Sequence, residues 1–299
     1  MKRILFIVNG AKKQSKKLQT VLDFFSNQDF FSKVEVVLTN YLGHATIIAK
    51  ENNSKFDYII AVGGDGTLNE VINGIDLRSN IIIGLLPYGT GNDFSRGLDL
   101  KLNAQFLFNL IKNDCYRQID IGLVEGIDIN TTPKRRFINI ADIGLGGFVT
   151  QKILKHKTKL LSGKMKYALA ILQGMIQYKK PEIRVEGDIE FTGKILTLAV
   201  CNGKFFGYGL CIAPKANIQD NVLNITCIGN VTLLDYFKNI GKIKRGEVIQ
   251  HPQVHYNSIK SINVYHTNKP CPIEIDGEFI GHTPVRLLIL PQKLKFLIP

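Results

Sequence analysis

Along the first hundred residues, short unbroken apolar runs alternate with segments whose apolar residues recur at three- and four-residue spacing. Ile4–Val8, Val34–Leu38, Tyr58–Val62 and Ile81–Leu85 are runs of the first kind, and they predict strands buried on both faces. Leu18–Phe25, Ala45–Lys50 and Leu68–Ile72 lie between them and predict helices, with a further helix over Ala104–Lys112. Strand, helix, strand repeated in this way predicts an α/β domain on a parallel sheet.

Beyond about Asp120 the pattern changes to short β-rich runs: Phe137–Ala141, Glu182–Val185, Ile195–Cys201, Val222–Ile228, Ser261–Tyr265 and Val285–Leu290. Turn signals such as Gly187-Asp188 separate several of them. Helical patterns interrupt around Val149–Gln177 and Leu233–Lys244. The expectation is an α/β domain over 1–124 and a mainly antiparallel domain over 125–291, with the boundary between about 120 and 130.

The richest local signal is Gly63-Gly64-Asp65-Gly66-Thr67-Leu68-Asn69-Glu70, which leaves a buried strand and enters a helix. Glycines let a phosphate approach the backbone closely, and the amides and dipole of the helix start favour the anion. A carboxylate at Asp65 suits that place if it works through Mg2+ or orients a reacting group; otherwise Asp65 or Thr67 caps a tight turn. A second loop, Pro87-Tyr88-Gly89-Thr90-Gly91-Asn92-Asp93, also leaves the C-terminal end of a predicted parallel strand, where ligands of open α/β sheets gather. Near the end, Asp276-Gly277-Glu278 places two carboxylates two residues apart. On an extended chain both would face one site and suit acid–base work. Asp-Gly is also a strong hairpin signal, so a plain turn stays open.

Charge adds a partner class. The 38 Lys and Arg against 25 Asp and Glu leave a net charge of +13, which favours phosphates or an anionic membrane. No zinc spacing, helix-turn-helix or aromatic-interleaved basic stripe accompanies it, so nucleic acid is not expected. Lys152, Lys155, Lys157, Lys159, Lys164 and Lys166 alternate with Ile153, Leu154, Leu160, Leu161 and Met165 without an acid, and predict docking on an anionic bilayer. A solvated helix and loop with inward leucines is the alternative. The 5 cysteines form no CxxC pair and fit a reducing compartment. The apolar run after Met1-Lys2-Arg3 is too short for a signal peptide, and no run reaches the roughly 18 residues of a membrane span. The expected location is the cytoplasm, in peripheral contact with a membrane.

Gly63-Gly64-Asp65-Gly66-Thr67 resembles the nucleotide motif shared by diacylglycerol, sphingosine and NAD kinases and phosphofructokinases. Leu68-Asn69-Glu70-Val71 and Pro87-x-Gly89-Thr90-x-Asn92-Asp93-Phe94 resemble the diacylglycerol and bacterial lipid kinase branch. So do Asn139–Phe148 and the stretch from Asn202-Gly203 through Gly207-Tyr208-Gly209 to Ala213-Pro214-x-Ala216. The resemblance implies a Rossmann-like nucleotide domain, a β-sandwich domain, ATP in the cleft between them, and return of the strand near Leu294–Ile298 to the first domain. It implies that Thr39 contacts the nucleotide together with Asn9, Gly63, Gly64, Asp65, Gly66, Thr67, Asn69, Glu70, Thr90 and Asn92. It favours Asp276 and Glu278, with Asp65, as the catalytic carboxylates, without deciding which takes the proton, and it draws Asp120 towards a Mg2+ network.

The chain also departs from that family. Asn9-Gly10-Ala11-Lys12-Lys13 stands where the family has Asn-Pro, leaving Lys12 and Lys13 to meet phosphates. At the family's structural Mg2+ site Asp220 is followed by Asn221, and Asn224 stands where an acid is common. Asn217, Asp220 and the Val222 carbonyl can hold a hard cation through oxygen, or form an Asx-turn. The resulting expectation is an ATP- and Mg2+-dependent kinase acting on a hydroxyl of a membrane lipid. Diacylglycerol ranks ahead of phosphatidylglycerol, sphingoid bases and undecaprenol. Partners are that lipid, an anionic membrane surface and a second copy as homodimer. The alternatives are a NAD kinase, or a catalytically weak regulator that binds nucleotide and membrane.

Overall fold

The computed structural model describes residues 1–11, 15–128, 132–155 and 163–299. The chain divides into two compact units, Met1–Ile119 with Pro291–Pro299, and Asp120–Leu290. In chain order the first unit holds β1 (Lys2–Val8), α1 (Lys16–Ser26), β2 (Phe31–Leu38), α2 (His44–Asn52), β3 (Tyr58–Gly63) and α3 (Asp65–Gly74). β4 (Ile82–Pro87), α4 (Asp93–Gly97), α5 (Ala104–Lys112) and β5 (Tyr116–Ile119) follow. The second unit opens with β6 (Gly122–Gly126), β7 (Arg135–Phe137), β8 (Ile140–Gly144), α6 (Leu145–Lys155) and α7 (Gly163–Gln177). It continues through β9 (Glu182–Gly187), β10 (Phe191–Lys194), β11 (Thr197–Cys201), β12 (Phe205–Phe206), β13 (Leu210–Cys211) and β14 (Leu223–Ile228). It ends with α8 (Leu233–Arg245), β15 (Val254–Ile259), β16 (Ser261–His266), β17 (Pro272–Ile275), β18 (Glu278–His282) and β19 (Val285–Ile289); β20 (Leu294–Leu297) closes the chain.

In the first unit the sheet order is β2-β1-β3-β4-β20-β5. The first four strands are mutually parallel, and β20 pairs parallel with β4 and antiparallel with β5. β1 and β3 are central, so Ile4–Val8 and Tyr58–Val62 are buried throughout. β2 differs from the expectation of burial on both faces: it is the edge strand, only Phe31 in it is buried, and Val36 and Leu38 are exposed. α1 starts on Ser15, whose hydroxyl accepts the Leu18 amide, and it buries Leu18, Val21, Leu22 and Phe25 along one face. Phe25 meets Phe6 at 5.0 Å and Phe31 at 5.8 Å between ring centroids, tilted contacts that tie helix to sheet.

The second unit is a β-sandwich of two six-stranded antiparallel sheets, β10-β9-β16-β19-β6-β7 and β15-β14-β11-β8-β17-β18. Its core gathers Val124, Phe137, Ile143, Ile225, Ile273 and Leu287 from both sheets. The division falls at Ile119/Asp120 rather than 124/125 because β6 pairs with β19 and β7 inside the sandwich. The run Phe137–Ala141, read as one strand, is two: β7 ends at Phe137 and β8 begins at Ile140, in different sheets. Of the basic stretch Lys152–Lys166, residues 156–162 lie outside the described residues. Lys152 donates to Gln177 and stands 4.8 Å over the Phe148 ring.

Candidate functional site

In the order β2-β1-β3-β4 the chain runs one way from β1 to β2 and the other from β3 to β4. The carboxyl ends of β1 and β3 therefore flank a topological switch point, the usual crevice for ligands of open α/β sheets. A cavity of about 400 Å³ opens there, lined by Asn9, Gly10, Ala11, Thr39, Asn40, Tyr41, Leu42, Thr67 and Glu70. Its polar wall is braced from within: the Asn9 amide donates to Thr67 Oγ1 at 3.2 Å, and the Gly10 N–H to Thr39 Oγ1 at 3.1 Å. Glu70 Oε2 accepts the Ala45 amide at 3.0 Å, which stabilises the start of α2. The structure thus gathers Asn9, Thr39, Thr67 and Glu70 in one cavity. Lys12 and Lys13 lie outside the described residues.

The two glycine loops meet backbone to backbone. A Cβ on Gly89 would lie 2.3 Å from the Gly64 Cα, and one on Gly63 would lie 2.3 Å from Thr67 Oγ1. Asp65 fastens this contact, its carboxylate accepting the amides of Asp93 at 3.0 Å and Phe94 at 3.1 Å at the start of α4. Burial pushes the Asp65 carboxyl up from the usual carboxylate range, against the opposing pull of those amides and Arg96. Asn92 is an internal brace in the left-handed region (φ 54°), with its side chain bonded to the Gly89 N–H and carbonyl at 2.9 and 3.1 Å. Gly66 is the second residue of α3, and Thr90 stands exposed at the loop tip. Asn69 is fully buried against Asn73 instead of lining the cavity.

In the second unit Asp276 and Gly277 (φ 48° and 86°) form the two-residue turn between β17 and β18. The extended geometry that would aim Asp276 and Glu278 the same way is absent, because consecutive left-handed residues reverse the chain. The Asp276 carboxylate, 5% exposed, accepts the amides of Ile138 at 3.0 Å, Asn139 at 2.9 Å and Ile140 at 3.0 Å. These amides sit at the break between β7 and β8, so one carboxylate holds that break. Glu278 pairs instead with Arg135 at 2.6 Å, with 22% of its side chain exposed. Asp120 accepts the Asn221 amide at 2.9 Å through Oδ2.

The loop holding Asn217, Asp220 and Val222 takes the Asx-turn form. Asn217 Oδ1 accepts the Gln219 amide at 3.1 Å and Asp220 Oδ1 the Val222 amide at 3.2 Å. The loop supplies a single carboxylate, Asp220, and no reaction step is assigned to it. Tyr41 and Leu42 are cavity residues that sequence reasoning missed. The Tyr41 ring stacks on His44 at 4.7 Å and 18°, a pairing that their three-residue separation after a strand could have suggested.

Residues 3–124 match the diacylglycerol kinase catalytic domain, and residues 141–298 match the YegS C-terminal NAD kinase beta sandwich-like domain. The diacylglycerol kinase of Staphylococcus saprophyticus is 33% identical, over 99% of this chain and 95% of its own. A solved Bacillus anthracis structure superposes with a TM-score of 0.77 at 25% identity, over 100% of this chain and 97% of that one. An Archaeoglobus fulgidus NAD kinase solved with ATP shares the fold alone, with a TM-score of 0.53 at 12% identity over 98% and 93% of the two chains. Similarity to a diacylglycerol kinase runs along nearly the whole chain, and the protein belongs to the diacylglycerol kinase family as a lipid kinase.

Proposed function

We propose that this lipid kinase transfers the γ-phosphate of ATP to a hydroxyl of a membrane lipid, diacylglycerol before other acceptors. The observation that carries the nucleotide half is the switch-point cavity of about 400 Å³, whose polar wall is Asn9, Thr39, Thr67 and Glu70. Its size lies in the range of small-ligand sites. The start of α3 offers amides and a favourable dipole to phosphate. Tyr41, stacked on His44, offers a flat apolar surface to the adenine ring. ATP enters as its magnesium complex, in which the metal neutralises phosphate charge.

Of the two family carboxylates, Glu278 is assigned as the proton acceptor and Asp276 as a positioning residue. Asp276 spends both oxygens on three backbone amides and is 5% exposed, whereas Glu278 pairs with Arg135 and keeps 22% of its side chain exposed. An oriented carboxylate of that kind accepts the hydroxyl proton as phosphoryl transfer proceeds. The reading also places the protein at an anionic membrane face, and no described helix is long and apolar enough to cross a membrane.

The test is incubation of the protein with radiolabelled Mg·ATP, NAD and total extracted lipid together, with the labelled product identified by mass spectrometry. Label in the phosphomonoester of diacylglycerol is expected. Label in NAD and none in lipid would overturn the reading. Gly64→Val tests the contact between the two glycine loops, because a Cβ at Gly64 already lies 3.1 Å from the Gly89 Cα. The larger side chain drives the loops apart, and calorimetric ATP binding is expected to fall at least about tenfold, or 1.4 kcal/mol.

A further inference from the structure

We infer that the outward face of α8 is the surface by which the protein enters an anionic bilayer. This rests on the proposed membrane-lipid substrate, since a kinase acting on such a lipid must meet it at a membrane. α8 has two faces of different fate. Tyr236, Asn239 and Ile243 line an apolar cavity against β14 and β15, where Ile228, Val254 and Tyr256 form the opposite wall. On the other side of the helix Leu234 and Phe237 stand 61% and 57% exposed, one turn apart. Lys238, Lys242, Lys244 and Arg245 are exposed beside and beyond them.

The sole acid of the helix, Asp235, is turned away into the capping box with Thr232 and lies 3.8 Å from His251. The outward face therefore combines Leu234 and Phe237 with Lys238, Lys242 and Lys244, while Arg245 at its end pairs with Glu247 at 2.6 Å. Exposed apolar side chains can enter the headgroup and acyl boundary of a bilayer while neighbouring lysines stay with its anionic headgroups. The neighbouring α7 borders the same cavity through Met175, has no acid in its fifteen residues, and exposes Leu169 and Ile176 at 44% and 71%. A second copy fits this face poorly. A two-fold interface would set these lysines against themselves.

The chain contains 0 Trp, so Phe237→Trp places a single fluorophore at the tip of the face without removing an aromatic ring. With phosphatidylglycerol vesicles its emission should shift to the blue and be quenched by brominated acyl chains; phosphatidylcholine vesicles should do neither. The triple change Lys238→Gln, Lys242→Gln and Lys244→Gln should weaken vesicle binding about 100-fold, at about fivefold per charge. Phosphorylation of a short-chain diacylglycerol dispersed in detergent should persist in both variants. Vesicle binding without an indole response, or no vesicle binding at all, would overturn the assignment. A blue shift that follows protein concentration instead of lipid would give the face to a second copy and equally overturn it. The detergent assay separates the two readings. If the Phe237→Trp protein inserts its indole while neither it nor the parent phosphorylates any lipid, the proposed function is lost and the docking surface stands.

Discussion

Asp65 in the first unit and Asp276 in the second occupy the two most conspicuous motifs of the chain, and their carboxylates do similar work. Asp65 accepts two backbone amides from the neighbouring glycine loop; Asp276 accepts three from the break between β7 and β8. The difference lies in what surrounds them. Asp65 closes a contact between two loops, beside a cavity whose polar wall belongs to Asn9, Thr39, Thr67 and Glu70. Asp276 sits in a hairpin turn whose next residue but one, Glu278, stays partly exposed. In both motifs the central aspartate spends its carboxylate on backbone amides.

The largest effects test the division within the hairpin. Glu278→Gln should lower kcat by about 10²–10⁴-fold, the usual contribution of a positioned base, with KM for ATP little changed. Its pair with Arg135 is partly exposed, so stability in urea unfolding should change by no more than about 1 kcal/mol. Asp276→Asn should behave differently. Asn tolerates the left-handed backbone at that position (φ 48°), so the turn itself is preserved. The amide can accept at only one atom where the carboxylate accepted at two. With charged hydrogen bonds contributing about 1.5–3 kcal/mol each, a loss near 3 kcal/mol is expected in urea unfolding. A variant with unchanged stability and lost kcat would move Asp276 from scaffold to catalyst.

The contrast between the two aspartates also marks where the sequence was readable. Ile4–Val8 and Tyr58–Val62 announce central strands because burial on both faces demands unbroken apolar runs. β2 carries a similar run but sits at the sheet edge, and nothing local distinguishes an edge strand from a central one. The break at Ile138–Asn139 is hidden inside an apolar run, because the carboxylate that creates it comes from a segment 138 residues away. Asp-Gly did signal a turn at 276–277, and the backbone follows that local preference. The glycine loops declared a close approach, but not that much of it is loop against loop. Tyr41 and Leu42 reach the cavity only through the packing of β1 beside β2 and β3, which no local pattern records.

Asp65→Asn probes the same scaffold role with a somewhat smaller expected effect. Two amide bonds depend on Asp65, and the amide side chain keeps an acceptor for one of them. Stability should fall by about 2 kcal/mol. The loop carrying Thr90 and Asn92 would loosen, and KM for ATP should rise about tenfold, with kcat for a saturated enzyme reduced far less than in Glu278→Gln. Loss of kcat at unchanged KM would place Asp65 among the reacting groups and end its likeness to Asp276.

Asp142 sharpens the comparison, because it is a fully buried carboxylate with a single backbone donor. It accepts the Gly146 amide at 2.7 Å and the Thr197 hydroxyl, and across the β8–β17 register its partner is Glu274. Burial outweighs those hydrogen bonds and pushes its carboxyl up to about 6. The folded protein thus holds a proton that the unfolded chain, with a carboxyl near 3.8, has already released. The associated stability is fully present below about pH 4, declines as pH rises towards 6, and is absent above that. A shift of this size corresponds to about 2–3 kcal/mol, taken as an upper range for a buried group. Asp142→Asn removes the titration, so the stability of the variant relative to the parent should rise by about 2 kcal/mol between pH 4 and pH 7. Urea unfolding of both proteins at the two pH values measures it. A difference that stays flat with pH would mean that the hydrogen bonds from Gly146 and Thr197 fully offset the burial of Asp142.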